Sequence, residues 1–72
     1  METVQAHKLW NRINALCNEK HIKYGMLAVI MERTPATVTE RKNHPETFRV
    51  DELIRIAKYF RITLKELVGG EA

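Results

Sequence analysis

Ala36, Thr39, Glu40 and Asn43 stand at i, i+3, i+4 and i+7, a spacing that places four short side chains on one face of a helix. Groups of this kind can approach base edges in a groove about 12 Å wide. Threonine hydroxyls bond several edges, alanine and threonine methyls meet the thymine methyl, and a glutamate accepts from cytosine N4. Arg33, Thr34, Arg41, Lys42 and His44 flank the stripe, and Lys23 with the Tyr24 hydroxyl precedes it. Cations and hydroxyls in such places suit phosphate oxygens, which supply affinity and register but no sequence choice. Plainer readings stand beside these. The stripe also fits an ordinary solvated face, Arg41 has Asp51 or Glu52 as alternative partners, and Thr37 can pack at a helix crossing instead of touching a ligand.

Other chemistries find little support. There is no Ser/His/Asp grouping, no phosphate-cradling glycine loop and no convergent carboxylate pair, so no catalytic residue, cofactor or enzymatic activity is expected. Cys17 and His21 lie four apart and could share a metal on one helical turn, but two ligands do not make a site, and no metal is expected. A single cysteine forms no internal disulfide, which points to a reducing, cytoplasmic setting. The first eight residues lack a signal-peptide pattern, and the longest apolar run, Met26 to Met31, is far short of a membrane span. The 72 residues carry 12 Lys and Arg against 9 Asp and Glu, a net charge of +3. The excess lies in residues 1–49, with eight basic against five acidic side chains; residues 50–72 balance at four each. A surplus of this size suits a polyanion without demanding one.

The stripe needs elements to position it. Leu9, Ile13 and Leu16, widened by Trp10 and Cys17, predict an amphipathic helix over residues 4–19. A second helix over 24–31 is apolar on most sides, so it is expected to be the most buried element, with Gly25 weakening its start unless it permits close packing. Thr34-Pro35 reads as a cap and first position for a third helix over 35–42, although Thr37-Val38-Thr39 could also be a strand fragment. A loop to about Phe48 follows. Val50, Leu53, Ile54, Ala57 and Phe60 then predict a fourth helix with those residues inward and Ile56 adjacent. Thr63 to Glu66 forms a capping box for a short fifth helix, which Gly69-Gly70 stops. Trp10 is expected in the core, near Ile13 and the Phe60 side of the fourth helix. The whole of residues 1–72 is expected to be one all-α domain of five helices.

Only about three residues separate the second and third helices, so the third must cross the second, the geometry of a helix-turn-helix over about 24–42. Ala28 supplies the small volume at the crossing, between Leu27 and Met31, and Val38 is the inward anchor. From about Leu9 to Gly69 the chain resembles the lambda-repressor/Cro-like (XRE-type) helix-turn-helix family, in its small phage- and prophage-type members. The residues carrying the likeness are Leu27-Ala28 with Met31, Arg33 to Val38 with Arg41, Pro45 to Phe48, Asp51 to Ala57 and Thr63 to Leu67. The resemblance implies a five-helix DNA-binding regulator whose third helix enters the major groove of double-stranded DNA, usually as a homodimer on a two-fold symmetric operator. The family usually has glycine in the turn where Glu32 stands, which predicts a distorted turn here, and Arg33 and Arg41 hold places that are often apolar. The competing reading keeps the fold as an antitoxin- or adapter-like protein-interaction module, favoured by Glu32 and Glu40 near the expected phosphate path.

Overall fold

The computed structural model describes residues 3–69. Five α-helices follow one another: α1 (Thr3–Glu19), α2 (Tyr24–Met31), α3 (Pro35–Asn43), α4 (Val50–Phe60) and α5 (Leu64–Gly69). A single 3-10 turn, Pro45–Thr47, lies in the segment expected to be plain loop, and no strand occurs among the described residues. The β-branched triplet is helical because the cap in front of it fixes the start. Thr34 Oγ1 accepts from the Thr37 N–H at 3.3 Å, and Pro35 fills the first helical position, where a missing N–H costs nothing. The fifth helix is closed by the expected box, with Thr63 Oγ1 accepting from the Glu66 N–H and Glu66 Oε1 from the Thr63 N–H at 3.0 and 2.9 Å. Gly70, the second half of the expected stop, lies outside the described residues.

One core joins all five helices. Leu9, Trp10, Ile13 and Cys17 from α1 meet Leu27, Ala28 and Met31 from α2, Val38 from α3, Leu53, Ile56 and Ala57 from α4 and Leu67 from α5. Trp10 packs edge-on against Tyr24, with ring centroids 5.8 Å apart, and stacks on Phe48 at 6.5 Å; its aromatic partners are these, while Phe60 pairs with Tyr59. Burial of Cys17 pushes its thiol pKa up, as expected of a packing cysteine.

Two burial expectations are corrected. The second helix is buried on one side only, not on most sides: Met26 and Val29 are exposed, Val29 by 66%, because α3 and α4 cover only the Leu27/Ala28/Met31 side. In α4 the inward set is Leu53, Ile56 and Ala57 together with Glu52, while Val50 and Ile54 face out. A wheel drawn through Val50 and Ile54 is rotated from the observed one by roughly one residue's worth of angle, about 100°. Gly25 also serves no close packing, since a Cβ there would meet nothing within 4 Å.

Three helices end in the same way without glycine. His21, Glu32 and Arg61 take φ of 59°, 60° and 60°. At each end the left-handed residue's N–H bonds three residues back, and the next N–H reaches five back: Ile22 to Cys17, Arg33 to Ala28 and Ile62 to Ala57, at 2.8, 2.9 and 3.0 Å. This is the Schellman closure, in which a left-handed residue lets the last carbonyls find donors. The turn after α2 is therefore regular, not distorted as expected, and its strain is confined to the φ of Glu32.

Candidate nucleic-acid interface

The elements around α3 give it one buried edge and one open face. Val38 is fully buried against α2, and Ala36, Thr39, Glu40 and Asn43 are all exposed, with Lys42 beside them. Thr37 is half-buried, and its hydroxyl lies 3.1 Å from that of Thr34, so it takes part in the cap. Lys42 Nζ sits over the Tyr24 ring, 5.6 Å from its centroid. That contact brings the end of α3 to the start of α2, where Lys23 is exposed at the N-cap and has no side-chain cap bond. Lys23, Tyr24 and Lys42 thus form one cluster beside the open face of α3. His44 is exposed beyond α3, with Nδ1 3.6 Å from Glu46 Oε2.

Arg33 and Arg41 are placed differently. Arg41 keeps only 12% of its side chain exposed and grips Glu52 with two bonds, Nε to Oε1 at 3.0 Å and a terminal nitrogen to Oε2 at 3.1 Å. Arg33 donates from Nε to Glu52 Oε2 at 3.0 Å and from a terminal nitrogen to Asp51 Oδ2 at 3.1 Å. Glu52 itself is fully buried and also accepts from the Arg49 N–H at 3.0 Å. Burial alone would raise the Glu52 pKa. The bonds from Arg41 and from the Arg49 N–H, with the charges of Arg41 and Arg33, outweigh it and hold the carboxyl below its ordinary range. The same partnership, led by the hydrogen bond to Glu52, raises the Arg41 pKa. Arg55 extends the network by bonding Asp51 Oδ2 at 3.1 Å and approaching Glu32 Oε1 at 3.4 Å.

Sequence reasoning offers Glu52 only as one of two acids that could pair with Arg41; its burial and its second partner, Arg33, are what that reasoning missed. An acid in the first turn of a helix looks like a dipole complement on the surface. The signal that could have found it is its place four residues before Ile56 and directly before Leu53, which is inward once those two are taken as the buried stripe.

A short helix crossed by a second across a tight left-handed turn, the second carrying an open polar face, defines a helix-turn-helix domain. The chain belongs to the family of the Cro/C1-type HTH DNA-binding domain, which it matches over residues 12–72. No match was found among curated proteins or among solved structures. No helix among the described residues is long and apolar enough to cross a membrane, and no group of three or more potential metal ligands occurs among them.

Proposed function

We propose that this chain acts as a sequence-specific regulator that places α3 in the major groove of duplex DNA. The observation carrying this reading is the open face of Ala36, Thr39, Glu40 and Asn43 beside the Lys23/Tyr24/Lys42 cluster. On this reading the four stripe residues meet base edges, while Lys23, Lys42, the Tyr24 hydroxyl and the uncapped N–H groups of α2 meet phosphates. Thr34 stands at the start of α3, near enough in sequence to the stripe to share a backbone contact. Arg33 and Arg41 each direct Nε and one terminal nitrogen at carboxylates and the other terminal nitrogen at the Glu32 carbonyl and the Thr47 hydroxyl respectively, so their part is to hold the fold of the site and not to bind phosphate. Repression or recruitment would follow from occupancy of a promoter, and a two-fold symmetric operator would take two copies with half-sites about 34 Å apart.

Selection of bound sequences from a random duplex pool tests this reading. An enriched motif, bound with steep salt dependence, supports it. Failure to retain any duplex at about 50 mM salt would favour a protein-interaction module instead, the reading to which the exposed acid Glu40 and the exposed Met26 and Val29 lend weight.

A further inference from the structure

In the closures of α1 and α4, the residue after the left-handed one is an isoleucine, Ile22 or Ile62, half-buried against the core. A hydrophobic contact at this position normally fixes the direction in which the chain leaves a helix. After α2 the equivalent residue is Arg33, and its guanidinium runs to the buried carboxylate of Glu52. Glu52 simultaneously takes Arg41, from the last turn of α3, in a two-bond grip. One carboxylate on α4 thus holds both the turn that launches α3 and the far end of α3, where an apolar anchor would otherwise sit.

We infer that Glu52 is a positioning residue for DNA recognition, fixing the angle of α3 through Arg33 and Arg41 while touching no DNA itself. The inference rests on the reading of α3 as the groove-entering helix. The physical reason for an ionic anchor is directional. A bidentate guanidinium–carboxylate pair admits one geometry, whereas an apolar contact tolerates rotation of one helix over another. Because breaking such a pair leaves an uncompensated buried charge, α3 should loosen when Glu52 is neutralised, while α1 should not, since the bonds described for Glu52, Arg33 and Arg41 run to α3, α4 and the turns beside them.

Glu52→Gln and Arg41→Lys in the full chain test this, each checked by circular dichroism for retained helix. Glu52→Gln removes a negative charge, so simple electrostatics predicts tighter binding to any duplex. Positioning predicts the reverse for the selected duplex, about a tenfold loss or more, with binding to generic duplex not weakened. Arg41→Lys keeps the charge but loses the fork, so it too should lose about tenfold, with an unchanged salt slope; a phosphate contact would tolerate it. Amide hydrogen exchange provides the arm independent of DNA. Selective loss of protection in α3 relative to α1 is expected for both variants. Unchanged protection in α3, a uniform loss over all helices, or undiminished preference for the selected duplex would overturn the inference. If the unsubstituted chain retains no duplex, the proposed function falls, and the exchange pattern still decides whether Glu52 positions α3.

Discussion

Replacing Glu32 by glycine should stabilise the protein although it deletes an ion pair. Glu32 sits at φ 60°, ψ 43°, where a Cβ is disfavoured by roughly 1–2 kcal/mol. Glycine removes that cost but gains freedom in the unfolded chain, which returns up to about 1 kcal/mol. The side chain surrendered is 69% exposed, and its contact with Arg55 Nε at 3.4 Å is worth at most about 0.5 kcal/mol after solvent screening. Glu32→Ala separates these contributions, because alanine loses the same ion pair while keeping the Cβ in the left-handed region. Glu32→Gly should therefore exceed Glu32→Ala by about 0.5–1 kcal/mol, or roughly 4 °C in thermal midpoint for a domain of this size. Melting both variants by circular dichroism at one pH and salt concentration measures the difference directly. A glycine variant melting at or below the alanine variant would show that the turn is not held in the left-handed conformation, and the regular closure of α2 would have to be abandoned.

Further outcomes follow from individual side chains. Val38→Ala removes two methyls from a fully buried site between α3 and α2 and should cost about 2 kcal/mol in urea unfolding; a cost under about 0.5 kcal/mol would mean that α3 is not anchored there. Gly25→Ala adds a methyl in open space and should raise stability by up to about 1 kcal/mol, and a loss of stability would point to a contact that the fold does not contain. Lys42→Ala should weaken all duplexes alike and lower the salt slope by about one unit, whereas a sequence-dependent loss would assign Lys42 to base reading. The acid limb of stability has a definite sign. Folding holds Glu52 and Asp51 below their ordinary pKa values, so the unfolded chain binds more protons on acidification. Their contribution is complete above about pH 5 and is lost as pH falls through the lowered folded values, and urea midpoints across pH 3–7 should show less of this decline for Glu52→Gln.

Much of the fold could be read from local chemistry because it rests on signals that act within a few residues. The Thr34-Pro35 start, the Thr63–Glu66 box, the small Ala28 at the crossing and the inward Val38 each name their own structural role, and the structure keeps them. The rest depended on what lies across the interior. Periodicity alone could not tell that α2 is covered on one side only, which leaves Met26 and Val29 exposed. Val50 and Ile54 misled for a related reason, since apolar residues on the outer face of α4 mimic a core stripe while the acid beside Leu53 is the inward one. The left-handed ends at His21, Glu32 and Arg61 carry no glycine, so the usual residue signal for that conformation was absent. For the site, the open stripe on α3 was visible in its spacing. Arg41 suited phosphate or an acid equally and Arg33 suited phosphate, and only the position of Glu52 turns both toward a carboxylate.

The most direct measurement is a nuclear magnetic resonance titration of the full chain with a duplex enriched by selection, following each backbone amide. The account predicts the largest shifts at Ala36, Thr39, Glu40 and Asn43 and at Lys23 and Tyr24, with the core-facing residues of α1 and the whole of α5 little changed. Shifts centred on α5, or on Met26 and Val29 with α3 unmoved, would contradict it.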